Sequence, residues 1–517
     1  MERCLRSPMR LMVASILLGL LAMASGARAA IDITAGRTKN MRCAHGLCMP
    51  VAKGASLNIH ELAKRLAESD VKVVTANGAL TIEVTAPLSW ASSHRLTLAA
   101  GYNIGVKAPV TVAGPGRLTI ATGANGAGGS LRFRGRGKID FWDPKARLVI
   151  NGNAYELSND VVTLADGIAQ HASAHFALAR DYDARGDDFG AHTPIPTTFK
   201  GVFEGLGHAI ANVSIHDKSD RCVGLFASIS DSGVVRDIAL PNAAVSLSLH
   251  RYARSGALAG CNEGVVEGAS ASGTVIGTWS GGLVGYNGGL IANSSANVAV
   301  TGKLVGGLTG ISDGTIFRSH AEGSVYASAV VADAGRISLA GGLAGMASAI
   351  TQSFATGNVT IDSRNIRFGK QDSAVGGLVG LSFGPIADSY ATGAVRGGRS
   401  SPAGGLAGQD RNAGTIRSSY ATGAVSAVHE DASIIGGFIG RDSVPGDLAG
   451  VYWDLDTSGI DDPSRGAGNI ANDPGITGLS DMQLKSALPA GFDPAIWAQS
   501  PDTNNGYPYL LANPPSQ

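Results

Sequence analysis

Few residues of this chain have the types and spacing that chemistry demands. The run Asp454-Leu-Asp456-Thr-Ser458-Gly459-Ile-Asp461-Asp462 follows the opening of a calcium loop. There, alternating side-chain oxygens and a turn-forming glycine wrap a hard cation. Asp454, Asp456, Ser458 and Asp462 would supply the oxygens. Arg465 stands at the twelfth position, where a bidentate Glu is needed, so a turn in a cap is the plainer reading. Cys43-Ala-His45-Gly-Leu-Cys48 offers two thiols and an imidazole, short of a four-ligand zinc shell, and closes more readily as a disulfide loop. Cys222 and Cys261 lie one repeat apart and would either bridge neighbouring turns or stay as buried thiols.

Glycoside hydrolysis needs two carboxylates facing each other across a groove. Asp187-Asp188 and Asp461-Asp462 are instead adjacent pairs in polar stretches, where solvated turns explain them. His208, in Gly-Leu-Gly-His-Ala, has no acidic or basic partner motif beside it. No His-Glu-x-x-His occurs, and no nucleophile elbow is expected. The expectation is a chain without catalytic residues, cofactor or metal, hence not an enzyme.

Composition narrows what must hold these residues. Of 517 residues 72 are glycine, about twice the ordinary usage. Only 16% are charged and 6% aromatic, with 41 basic residues against 41 acidic. That balance argues against nucleic acid as a partner, and such a small charged fraction does not produce a swollen, disordered chain. An ordered, glycine-rich, repetitive β structure remains. At the N-terminus Arg3, Arg6 and Arg10 precede an apolar run from Leu11 to Ala24, and Ala27-Arg28-Ala29 offers a cleavage site. This reads as a secretory signal over residues 1–29, because about 14 apolar residues fall short of the ~20 that span a membrane. The four remaining cysteines suit an oxidising destination.

A short phrase recurs from residue 223 to 440. It stands as Gly281-Gly-Leu-Val-Gly, Gly306-Gly-Leu-Thr-Gly, Gly341-Gly-Leu-Ala-Gly, Gly376-Gly-Leu-Val-Gly and Gly404-Gly-Leu-Ala-Gly, with three looser copies around them. A second phrase follows each, as in Ile386-Ala-Asp-Ser-Tyr-Ala-Thr-Gly-Ala-Val395 and Ile416-Arg-Ser-Ser-Tyr-Ala-Thr-Gly-Ala-Val425. Every repeat thus carries a Leu, an Ile and a Val anchor at steps of about one short strand and a corner. Three steps close a coil of about 25 residues, whose anchors stack on those of the next coil at the ~4.8 Å strand separation. One coil cannot bury its anchors alone, so the pattern must repeat. The expected fold is all-β: a right-handed parallel β-helix, or β-solenoid, with short helical caps or insertions.

Leu258, Leu283, Leu308, Leu343, Leu378 and Leu406 would form one inward column. Val266, Ile291, Ile316, Ile350, Ile386 and Ile416 would form another. His320 falls in the column of Phe354, Tyr390 and Tyr420, a packing position. Insertions cluster at one corner, in loops 326–340 and 360–375, the second carrying Arg364, Arg367 and Lys370 as candidate ligand-facing residues. The expected order is a signal (1–29), an N-terminal cap with Cys43, Cys48 and a short helix (30–70), early coils (71–158), a helical excursion over 159–200 with its helix at about Leu164 to Ala179, the repeat (201–450) and a C-terminal cap (451–517).

These phrases resemble the GLUG repeat of bacterial surface proteins. Thr197-Thr-Phe-Lys-Gly-Val-Phe-Glu-Gly-Leu-Gly-His-Ala-Ile is similar to the segment leading into such repeats in filamentous-haemagglutinin-like exoproteins, and Val451-Tyr-Trp-Asp-Leu-Asp-Thr-Ser-Gly to the segment closing them. The resemblance implies an extracellular or cell-surface β-helix that adheres to host, matrix or glycan surfaces and meets an outer-membrane export machinery. It would not be membrane-spanning, and the periplasm is the alternative location. The competing functions are a carbohydrate-active β-helix enzyme, a lyase or hydrolase, and a structural part of an envelope or matrix.

Overall fold

The computed structural model describes residues 30–515 apart from 125, 127, 190–191, 218–220, 248–252, 329–336, 363–372, 399–400, 412–414 and 429–433. The signal segment therefore lies outside the described residues. The chain is nearly all β, in long parallel sheets, an architecture compatible with a solenoid. It divides into two units, one formed by residues up to 159 with 174–181 and 203–208, the other by 160–173, 182–202 and 209–517.

In the first unit, alternating apolar residues stack in register. Val71, Leu96, Leu118 and Leu148 are successive parallel partners, as are Leu88, Val110 and Ile139. All are buried. Helix α1 (Ile59–Glu68) starts where the Asn58 side chain accepts from the backbone N–H groups of His60 and Glu61, and it buries Ile59, Leu62 and Leu66. Cys43 and Cys48 face each other across an antiparallel hairpin and form a disulfide.

In the second unit the repeat becomes columns. From Val266 through Ile291, Ile316, Ile350 and Ile386 to Ile416 each residue is the parallel partner of the next. The same holds from Val275 through Val300, Val325, Val359 and Val395 to Val425. Along the leucine column the N–H of Leu283, Leu308, Leu343 and Leu378 each donates to the leucine carbonyl one coil on, at 2.8–2.9 Å. The paired glycines before each Leu are required by close approach. A Cβ on Gly342 would sit 2.0 Å from the Gly377 carbonyl oxygen.

The corner after the Ile column has its own rule. Asn293, Arg318, Gln352, Asp388 and Ser418 all adopt positive φ of 47–50°, and a serine follows each. The hydroxyls of Ser294, Ser319, Ser353 and Ser389 donate to the carbonyl two residues back and accept the backbone N–H of the serine or alanine one coil earlier. A buried corner is thereby satisfied by side chains. Helix α2 (Val161–Gln170), capped by Asp160, ends sooner than the pattern to Ala179 predicts, because His175–Leu178 is extended and pairs with the strand Asn153–Ser158. Cys222 and Cys261 are disulfide-bonded across neighbouring coils. Helix α3 (Asp481–Ser486) opens with a Ser480–Gln483 capping box.

Candidate functional site

The position two residues after each αL corner places one side chain per coil outside the solenoid core. Ala239, Ser270, Ser295, His320, Phe354, Tyr390 and Tyr420 are successive parallel partners there. From His320 onward the rings stack face to face, with centroids 4.6, 4.7 and 5.1 Å apart and planes within 5° of parallel. The C-terminal segment covers this half of the ladder. Trp497 packs 6.0 Å from both Tyr390 and Tyr420 and donates its indole N–H to Asp388. Tyr420 donates its hydroxyl to the Pro508 carbonyl at 2.7 Å.

The cover ends at His320. Asn513 Nδ2 donates to the carbonyls of Ser319 and Gln352, both at 3.2 Å, and its Oδ1 lies 2.9 Å from His320 Nδ1. Those two donations orient the amide, so Oδ1 is the atom facing the ring and Nδ1 carries the proton. Nε2 is then a lone-pair acceptor. Burial holds the imidazole below its usual range, while the Asn513 hydrogen bond and Glu322 pull it back up; the ring is neutral at neutral pH. Beyond His320 the ladder opens into a shallow groove of about 230 Å³ lined by Ser270, Ser272, Ser295, Asn297, His320 and Glu322 over Leu240 and Pro241.

A second polar cluster lies where successive coils place Arg254, Glu263, Trp279, Tyr286 and Asp313. The Arg254 guanidinium sits over the Tyr286 ring at 4.4 Å and the Trp279 ring at 5.3 Å, and Tyr286 donates to Asp313 at 3.0 Å. Glu263 shows part of its side chain to solvent. Burial around the carboxyl nevertheless pushes it above the ordinary carboxylate range, aided by Asp313 and Asp231 and opposed by Arg254.

The residues singled out from sequence fare differently. Arg364, Arg367 and Lys370 lie outside the described residues. The candidate calcium loop is a turn. Asp454 is buried, its Oδ1 accepts from the N–H groups of Asp456 and Thr457, and its Oδ2 faces the Tyr507 hydroxyl at 2.9 Å. Ser458 bonds its own turn at Ile460, and exposed Asp462 accepts from Ser464, so the four oxygens do not converge. Among the described residues no three His, Cys, Asp or Glu side chains group as metal ligands. His208 is buried with Nε2 2.7 Å from the Ile139 carbonyl and Nδ1 3.1 Å from Asp181, a structural tie. Sequence reasoning missed the groove. Its signal was the change from aromatic to serine in the column that holds His320.

No protein-family model and no curated protein matches the chain. Among solved structures it is similar to one named IgA1 Protease, at 20% identity and a TM-score of 0.37, over 49% of this chain and 20% of that one. The chain thus matches one fifth of that protein's length. It is also similar to an immunoglobulin A1 protease candidate from Bacteroides ovatus, at 18% identity and a TM-score of 0.36, over 70% of this chain and 92% of that one. Likeness this slight assigns no activity to this chain. It does correct one expectation. Both similar structures bear the name of a protease, and the assignment of this chain as a non-enzyme is withdrawn. Among the described residues no helix is long and apolar enough to cross a membrane. The two disulfides mark an oxidising compartment.

Proposed function

We propose that this chain is an exported right-handed β-helix of the GLUG-repeat kind whose role is surface recognition: it attaches to a host, matrix or glycan surface by features presented along its coils. The observation that carries this reading is the large added length at one corner of two neighbouring coils. The connection from the third strand of a coil to the first of the next takes two residues between Ile276 and Trp279, but ten between Ser328 and Leu339 and eleven between Asp362 and Ala374. Insertions that recur at one corner of a repeat are a common place for repeat proteins to bind. Protease treatment of intact cells should digest the protein or find it in the medium, and replacing residues 329–338 and 363–373, the parts of loops 326–340 and 360–375 that lie between paired strands, each by a two-residue link should lower attachment. Protection until the cells are permeabilised would place it in the periplasm and defeat this reading.

A second reading, a carbohydrate-active β-helix enzyme, is favoured by one observation: burial around the Glu263 carboxyl, with the charge of Asp313 adding to it, raises it above the ordinary carboxylate range, and glycoside hydrolysis draws its general acid from such a carboxyl near a second one. Release of reducing ends or unsaturated products from a polysaccharide panel, abolished by Glu263→Gln, would establish it. No turnover on any of them would remove it.

A further inference from the structure

The ring ladder stops abruptly. His320 stacks one face on Phe354, and its other face looks along the ladder to Ser295, its partner one coil earlier. Ser295 is followed by Ser270 and then Ala239. Three coils in succession therefore carry a side chain too small to make the next rung. The space left is the groove.

Its surroundings define what fits. The open ring face offers a flat platform of the kind on which rings stack. Nε2 of His320 is an acceptor, because Asn513 fixes the proton on Nδ1. The hydroxyls of Ser270 and Ser295 have no protein partner among the described residues, and Asn297 and Glu322 add an amide and a carboxylate at the rim. A bare aromatic side chain would bury this polar rim without satisfying it, which costs free energy. A ring bearing hydroxyls on its edge would satisfy it. The volume, about 230 Å³, lies below the range of drug-sized ligand pockets and suits a single ring.

We propose that this groove is a saccharide subsite, in which one sugar residue of a glycan sits on the open face of His320 as the missing rung, its hydroxyls shared among Ser270, Ser295 and Asn297. This deepens the surface-recognition reading and rests on it.

The test is saturation-transfer NMR on the full mature chain with glucose, galactose, mannose and N-acetylglucosamine and their short oligomers. Alongside it go Ser295→Tyr, which supplies the missing ring in a register that already accepts Tyr390 and Tyr420, and His320→Gln, which removes the platform. Transfer to at least one sugar is expected with the wild type. Ser295→Tyr should keep the wild-type melting temperature or raise it and lower transfer at least tenfold, and His320→Gln should also lose it. Equal transfer from Ser295→Tyr would overturn the subsite. So would displacement of the sugar by phenylalanine amide, which would make the groove a peptide site. Wild-type attachment to cells with no transfer to any sugar would overturn the subsite and leave the recognition reading standing. Absence of both attachment and transfer would bring down the two together.

Discussion

Two tyrosines one coil apart show how context sets the worth of a single atom. Tyr420 and Tyr390 are both fully buried and stacked on each other. The Tyr420 hydroxyl donates to Pro508 and accepts from Asn504, whereas the Tyr390 hydroxyl has no protein partner among the described residues. Tyr420→Phe should therefore cost about 1–3 kcal/mol by stranding the groups it pairs, and Tyr390→Phe should be neutral or stabilising; urea titrations of the two variants decide it. A buried acid pair makes a second residue-scale prediction. Asp442 and Asp473 are both nearly inaccessible, and burial, followed by a hydrogen bond to the Asp442 carboxyl and its charge, raises Asp473 to about 7. An ordinary Asp titrates near 3.9 in an unfolded chain. Below that both states hold the proton. As pH rises toward 7 the unfolded state releases it while the folded state keeps it, so stability falls across that window and levels above it. Asp473→Asn should flatten this decline. Urea midpoints at pH 5 and pH 7.5 that shift alike in both proteins would refute the assignment.

At the scale of the element, the strands and corners of the repeat were largely legible. Leu, Ile and Val at fixed steps announced three inward columns, and each residue named for the Leu and Ile columns is buried. The corner chemistry was less legible. Ile-x-x-Ser was visible as a phrase, but only the stacked coils show that its serine satisfies the backbone of its own turn and of the neighbouring coil. Ser353→Ala leaves the Ser319 N–H unpaired, while the Thr351 carbonyl keeps the Arg318 N–H and the backbone N–H at position 353 still donates to the Ser389 hydroxyl. The expected cost is about 1–3 kcal/mol, with faster hydrogen exchange at Ser319; unchanged exchange there would mean that the ladder contributes nothing. Least legible was the groove, because it depends on a contact between Asn513 and His320, residues 193 apart in sequence. No local pattern announces where a C-terminal segment will lie, and the absence of a large side chain at Ser295 carries meaning only once the neighbouring coils have filled that column.

At the scale of the whole molecule, a stack of coils gains its stability from contacts between neighbours, so a defect should be felt locally. The C-terminal segment breaks that rule within the second unit. Trp497 touches Tyr390 and Tyr420, and Asn513 reaches Ser319 and Gln352; four consecutive coils are tied together from outside. The Cys222–Cys261 disulfide ties only two coils, far from that brace. Trp497→Ala should cost about 3–5 kcal/mol, the usual penalty for emptying a buried aromatic site. That cost should be distributed unevenly. Hydrogen exchange should rise in the braced strands Thr309–Phe317, Ala344–Thr351, Ile386–Ala387, Tyr390–Ala391 and Ile416–Ala421, while Ala259–Asn262 and Ser270–Ile276 keep their protection. If all the strands lost protection equally, the second unit would be unfolding as one cooperative body rather than as a chain of neighbour contacts with a local brace. If none did, the segment would be a passenger on the ladder, and the termination of its cover at His320 would no longer explain why the groove begins there.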